Sequence, residues 1–169
     1  MTPSRRQLLA TGLAALGSAA LPGALAAGQR PRVDVWWHPG CGCCGAWMDH
    51  MRAEGFDIVS HPVQEVGRYR RELGTPSNLL SCHAARLDAG PGGGPGDGLV
   101  LEGHVPALAV HRALENPAPG LRGLAVPAMP IGSPGMEVEG MEPDTYDIIA
   151  WADDGRQWVF LTMHGGIPA

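Results

Sequence analysis

The sequence predicts a mixed α/β domain with a Gly/Pro/Met-rich loop and a C-terminal β-hairpin. Three observations carry this expectation. Short β-branched and aromatic runs alternate with segments of helical period, and Gly or Pro closes most of them. The 169 residues fit one domain with an appendage. The 25 Gly and 16 Pro are densest over residues 88–98 and 116–144, which therefore read as connections.

The elements follow in order. Val33 to His38 is a β-branched and aromatic run ended by Pro39-Gly40, a first strand. Ala46 to Glu54 is a helix, with Trp47, Met48 and Met51 at helical spacing and Gly55 as its stop. Phe56 to Ser60 is a second strand, and Glu65 to Leu73 a charged helix closed by Gly74. A strand-helix-strand opening makes the two strands parallel. A third strand falls within Leu79 to Leu87, and a fourth runs from Leu99 to Val105. Pro106 opens a last helix, at a position Pro tolerates, which reaches about Glu115. The order β-α-β-α-β-β-α is that of a thioredoxin-like core, assigned to residues 28–116. Residues 117–169 hold the loop and the terminal hairpin packed on that core. Tyr146 to Trp151 and Trp158 to Met163 form the hairpin around Asp153-Asp154-Gly155.

Residues 1–27 read as an export signal. Ser4-Arg5-Arg6-Gln7-Leu8-Leu9 has the twin-arginine pattern, an apolar run follows, and Ala24-Leu25-Ala26 suits cleavage. The run is short for a membrane span, and no later segment is apolar enough for one. The expectation is a periplasmic protein without stable membrane insertion after processing, in an oxidising compartment. The chain has no Lys and a net charge of −5, which excludes the basic footprint of a nucleic-acid binder.

Three of the four cysteines lie in Cys41-Gly42-Cys43-Cys44, between the first strand and its helix. A Cys41–Cys43 or Cys43–Cys44 bridge would be strained. Cys41 and Cys44 have the C-x-x-C spacing of a redox pair, and a helix N-terminus there favours thiolate. Cys43 is one thiol more than that chemistry needs. Three thiolates on one loop suit a soft metal such as Cu(I), with zinc a weaker alternative. Gly45 stands where haem attachment needs a His. The residues thus leave open a copper site, a thiol–disulfide oxidoreductase, structural zinc and a structural disulfide.

Cys82 is the fourth sulfur, read as a ligand or resolving thiol. A strand beginning just after Pro76 would carry it too far from the first loop, at about 3.3 Å per residue. A turn over Ser77-Asn78-Leu79 and a strand starting near Cys82 are therefore expected. In a regular strand His83 points away from Cys82, so it is not expected to bind the same ion unless the strand is bulged. Met129 and Met136 sit in rigid Pro/Gly settings of a loop that needs a reason for order, so a thioether from either is a candidate cap for a copper–thiolate site. His104, at a strand-to-helix junction, is a candidate ligand or a structural hydrogen-bonder. His164, in a Met-His pair, is a candidate copper ligand or a solvated end, His38 and His50 are weaker candidates, and His111 reads as helix surface or core edge.

Cys41-Gly42-Cys43-Cys44-Gly45-Ala46-Trp47, Ser81-Cys82-His83, Glu102-Gly103-His104-Val105-Pro106 and Met129-Pro130-Ile131-Gly132-Ser133-Pro134-Gly135-Met136 occur in this order over nearly the whole chain after the leader. In these motifs the chain resembles the CopG-like family of bacterial predicted metal-binding proteins, with a thioredoxin-like domain and a Cys-x-Cys-Cys motif. The resemblance implies copper binding by Cys41, Cys43, Cys44 and Cys82, as a multinuclear Cu(I)–thiolate cluster. It also implies copper handling or resistance with redox interconversion of copper, alongside other periplasmic copper-handling proteins. The chain departs from the family pattern at Ala128, where Gly is expected, at Ala85, where Thr is usual, and in its long connector at 88–98.

Overall fold

The computed structural model describes residues 30–88 and 98–169. Residues 1–27, read above as an export signal, and most of the Gly/Pro connector lie outside them. Among the described residues eight strands form one mixed sheet, with three α-helices. The strands are β1 (Arg32–Trp37), β2 (Asp57–Pro62), β3 (His83–Asp88), β4 (Gly98–Glu102), β5 (Leu121–Ala125), β6 (Thr145–Ala152), β7 (Gln157–His164) and β8 (Ile167–Pro168). The helices are α1 (Cys44–Ala53), α2 (Gly67–Leu73) and α3 (Ala107–Glu115).

The sheet order is β2-β1-β3-β4-β5-β6-β7-β8. β1 and β2 are parallel, as the strand-helix-strand opening predicts. β3 is antiparallel to both β1 and β4. Strand alternation then divides the core between the two faces. Val33, Val35, Ala85, Leu101 and Leu124 pack with Trp47, Met48 and Met51 of α1 and Ala107, Val110 and Ala113 of α3. Ala84, Val100, Ala125 and Trp151 pack with Leu73 of α2 and Leu79 on the opposite face. In α1 the three large apolar residues at positions 47, 48 and 51 make one buried stripe, and Gly55 ends the helix at φ +94°.

The third strand follows the reach argument: Ser77–Leu79 is a 3-10 turn, and the strand starts at His83. The turn required for Cys82 to reach the first loop is therefore present. Residues 116–144, expected to be wholly irregular, contain β5. It pairs in parallel with β4 after the α3 crossover and antiparallel with β6, joining the terminal hairpin to the same sheet. β5 is only five residues, Leu-Arg-Gly-Leu-Ala, too short to show a period. A Cβ at Gly123 would collide with the Trp151 ring, so that strand needs Gly at its centre.

Candidate metal centre

The pairing that builds the sheet also builds the site. Trp37 at the end of β1 stands opposite His83 at the start of β3, and Ala84 stands opposite Glu102 at the end of β4. The loop leaving β1, the residues entering β3 and the residues leaving β4 therefore meet at one end of the sheet. They carry Cys41, Cys43 and Cys44, then Cys82 and His83, then His104.

All four cysteine sulfurs lie within 4.8 Å of one another. Cys41, in the loop before α1, and Cys44, the first residue of α1, are joined as a disulfide with a Cα separation of 5.6 Å. Cys43 and Cys82 are free thiols. Cys43 Sγ is 3.6 Å from Cys41 Sγ, and Cys82 Sγ is 3.7 Å from Cys44 Sγ. Cys44 is wholly buried, and the other three are half-buried. Burial, with the neighbouring Cys43 adding to it, pushes the Cys82 thiol up to about 12. Without a cation in the cradle Cys82 therefore keeps its proton at neutral pH.

Two histidines close the inner side. His83 and His104 are almost fully buried, with ring centroids 5.3 Å apart. A ligand nitrogen from each lies within 4.8 Å of the others and of the Cys44 and Cys82 sulfurs. His83 Nδ1 is 3.3 Å from Cys82 Sγ, and its ring packs on Trp47 at 4.2 Å. This corrects the expectation that His83 points away. Alternation applies within a strand, and Cys82 sits in the bend before β3. Burial holds both imidazoles below their ordinary pKa, His83 the more strongly. His104 Nδ1–H donates to the Pro134 carbonyl at 2.7 Å. That bond fixes the tautomer and leaves Nε2 with a free lone pair.

The segment before Cys82 is clamped. Glu102 Oε1 accepts from Ser81 N–H at 2.7 Å and Arg70 Nε–H at 2.8 Å, while the Arg70 guanidinium donates to the Ser81 carbonyl. Ser81 Oγ–H donates to the Ala128 carbonyl at 2.6 Å, tying the Met-rich loop to the same point. Burial raises the Glu102 carboxyl to about 7 against the opposing pull of Ser81 N–H and Arg70.

The loop carrying Met129 and Met136 folds over the cysteine segment. An added Cβ at Gly135 would lie 2.7 Å from Trp47 N and 3.1 Å from the Cys43 carbonyl. Met136, beside it, is half-buried. Met129 is 44% exposed. The other histidines read from the sequence have local partners. His50 Nε2 accepts Ala107 N–H at the start of α3, and His38 Nδ1 accepts Gly40 N–H. His111 Nε2–H donates to the Glu54 carbonyl. His164 Nδ1 is 3.1 Å from Thr145 Oγ1.

The chain is similar to known proteins. Residues 79–136 match the family described as a protein of unknown function, DUF411. The chain is similar to two solved structures of a copper resistance protein CopG. Form 2 is 32% identical with a TM-score of 0.68, the match covering 79% of this chain and 98% of that chain. Form 1 is 33% identical with a TM-score of 0.68, covering 80% and 99%. The chain belongs to the CopG-like copper-resistance family. No curated protein matches it. The stretch matched to DUF411 carries Cys82, His83, Glu102, His104, Met129 and Met136, but not the Cys-x-Cys-Cys run of this CopG-like chain. At Ala128, where the sequence departs from the family pattern, the backbone has φ +61°, the only positive φ of a non-Gly residue among the described residues. No helix among the described residues is long and apolar enough to cross a membrane.

Proposed function

We propose that this chain is a periplasmic copper-binding protein of copper handling or resistance. Cys41, Cys43, Cys44 and Cys82 hold Cu(I) as thiolates, in a multinuclear cluster, with His104, Met136 or Met129 supplying further ligands. The observation that carries this is the gathering of four sulfurs within 4.8 Å from two distant stretches of chain. Thiolates select Cu(I), and copper resistance is what the CopG relatives are named for. The order β2-β1-β3-β4, with β1 parallel to β2, supports a thioredoxin-like core for the first four strands. In this reading twin-arginine export delivers the chain to the periplasm, where other copper-handling proteins exchange metal with it.

Loading requires reduction of the Cys41–Cys44 bridge. An attacking dithiol passes through a mixed disulfide, takes up the S–S bond as its own, and leaves both cysteines as thiols. Copper then displaces the thiol protons, and its charge offsets the burial that keeps Cys82 protonated. The test is anaerobic titration of reduced protein with Cu(I) against a competing chelator. About two or more copper ions per chain are expected, with fewer for Cys43→Ser and Cys82→Ser. Titrations unchanged in both variants would overturn the reading.

The Cys41–Cys44 disulfide at the start of α1 favours a second reading, a thiol–disulfide oxidoreductase. It requires the metal-free protein to reduce a test disulfide, and to do so equally well as Cys43→Ser.

A further inference from the structure

Residues 123–155 hold seven acids and no Arg, Lys or His. Within them Glu137-Val138-Glu139-Gly140-Met141-Glu142-Pro143-Asp144 interleaves acidic and apolar side chains. The fold turns this run into a pocket of about 190 Å³ walled by Ile131, Val138, Met141 and Pro143, with Glu137 at its side. Val138 is 45% exposed and Met141 52% exposed. Single apolar residues on a surface are ordinary, but these two line one cavity. A cavity of about 150 Å³ holds a benzene ring, so this one takes an aromatic or leucine-sized side chain. Its floor is fixed. Asp144 Oδ2 accepts Ile131 N–H at 2.8 Å, Asp144 N–H donates to the Ile131 carbonyl at 2.9 Å, and Gly165 N–H donates to the Asp144 carbonyl at 2.9 Å. Pro143 sits so close to Gly132 and Gly165 that an added Cβ would lie 2.7 Å or 2.9 Å from its own Cβ.

We infer that this pocket docks a partner protein through a bulky apolar side chain flanked by Arg or Lys. Charge complementarity selects that occupant. Glu137, Glu139, Glu142 and Asp144 are exposed around the apolar walls, with His164 Nε2 4.0 Å from Glu142 Oε1 at the edge. An anionic lipid surface would be repelled by such a rim, and membrane-lying faces carry Lys and Arg instead. A second copy fits poorly, because the chain has a net charge of −5 and its Arg52, Arg68 and Arg156 are already paired with Asp49, Glu72 and Asp154. A preformed apolar pocket with a charged rim is the usual seat of a binding anchor, and Met in its wall adapts to the shape of the guest. Glu137 also joins the pocket to the loop over the cysteine segment: its Oε2 accepts Gly135 N–H at 2.8 Å, and Gly135 packs against the Cys43 carbonyl. A docked partner therefore lies beside that loop. The inference goes beyond the copper reading and does not need it.

The probe is a short fluorescein-labelled peptide with a central Trp flanked by Arg on both sides, titrated by anisotropy into metal-free, full-length protein. Binding that weakens with added salt is expected, with amide shifts centred on Gly132, Val138 and Gly165. Replacing the peptide's Trp by Gly, or its Arg by Glu, should abolish it. Met141→Ser with Val138→Ser should weaken binding by about tenfold, and Glu139→Gln with Glu142→Gln should flatten the salt dependence. Equal binding of the Glu-flanked peptide, unchanged affinity in the Met141→Ser, Val138→Ser protein, or no binding at all overturns the inference. So does preference for phosphatidylglycerol vesicles, or self-association that the same double variant removes. If that variant fails to fold by circular dichroism, the wild-type amide shifts decide, and shifts centred elsewhere overturn the inference. Because no copper is present, failed docking leaves the copper reading intact, and failed Cu(I) loading leaves this one intact.

Discussion

Arg70 and Glu102 meet at 2.8 Å across the Ser81 peptide, one residue before the distal cysteine. Glu102 is fully buried and the Arg70 side chain is 16% exposed, which sets the pair apart from the surface ion pairs. Between them they take both the N–H and the carbonyl of Ser81. Removing Arg70 leaves the Ser81 carbonyl without its donor and lets the Glu102 carboxyl take up a proton, which together cost about 1.5–3 kcal/mol. Arg70→Ala should lower the urea midpoint accordingly and release Cys82 from the cradle, reducing copper bound per chain. A paired apolar replacement, Arg70→Met with Glu102→Leu, should recover most of the stability but not the placement of Cys82. Full copper loading in that double variant would show that the clamp does not position the cysteine.

The pH dependence of the disulfide-intact, metal-free protein follows from four groups. Burial lowers the folded pKa of His50, His83 and His104 below 6.5. Their neutral forms thus add stability that is complete above the unfolded pKa and is lost as pH falls through the folded values. Glu102 has the opposite sign. With its folded pKa raised from 4.5 to about 7, its contribution is complete below 4.5 and is lost as pH rises through 7. Three groups oppose one, so stability should fall on acidification from pH 7. Urea midpoints measured between pH 7 and 5 should fall more steeply in Glu102→Gln. They should fall less steeply in His50→Gln, whose amide oxygen can still accept Ala107 N–H. A profile that is flat or rises toward pH 5 would contradict this balance.

Much of the site was legible because its signals are local. Three cysteines in four residues before a helix need no tertiary information, and the reach of a strand was enough to require the turn over Ser77–Leu79. Alternation does not extend to Cys82, which lies outside the strand, so it does not tell where His83 points relative to that sulfur. Glu102 looks like the polar end of an apolar run, and Arg70 like one of several charges on a short helix. Nothing local says that they meet across 32 residues. β5 was missed for a related reason: its identity depends on β4 and on the Trp151 ring over Gly123, neither of which five residues can encode.

Ala128 carries a backbone conformation better suited to Gly. At φ +61° an L-residue with a Cβ costs about 1–2 kcal/mol relative to the right-handed region. Gly removes that cost but adds about 0.4–1 kcal/mol of unfolded-chain entropy. Ala128→Gly should therefore stabilise the protein by roughly 0.5–1 kcal/mol, seen as a higher urea midpoint with unchanged slope. The loop should keep its anchor, because Ser81 Oγ donates to the residue's carbonyl rather than to its side chain. A lower midpoint would mean that the Ala128 methyl group contributes more than the strain it causes.

Gly135 and Gly140 separate backbone strain from crowding in the Met-rich loop. Both have positive φ, +83° and +78°. A Cβ at Gly140 meets nothing within 4 Å, so Gly140→Ala should incur only the conformational cost, about 1–2 kcal/mol, less the roughly 0.4–1 kcal/mol gained by restricting the unfolded chain. A Cβ at Gly135 would press on the backbone of Cys43, Ala46 and Trp47, and backbone at the start of a packed helix cannot swing aside like a flexible side chain. Gly135→Ala should add an overpacking cost of about 1–3 kcal/mol and lift the loop off the cysteine segment. Lifting it also withdraws the Pro134 carbonyl from His104 Nδ1–H, freeing that ring to turn. Thiol-labelling of Cys43 should accordingly accelerate in Gly135→Ala and stay at the wild-type rate in Gly140→Ala. Equal rates in the two variants would mean that the loop does not shield the cradle.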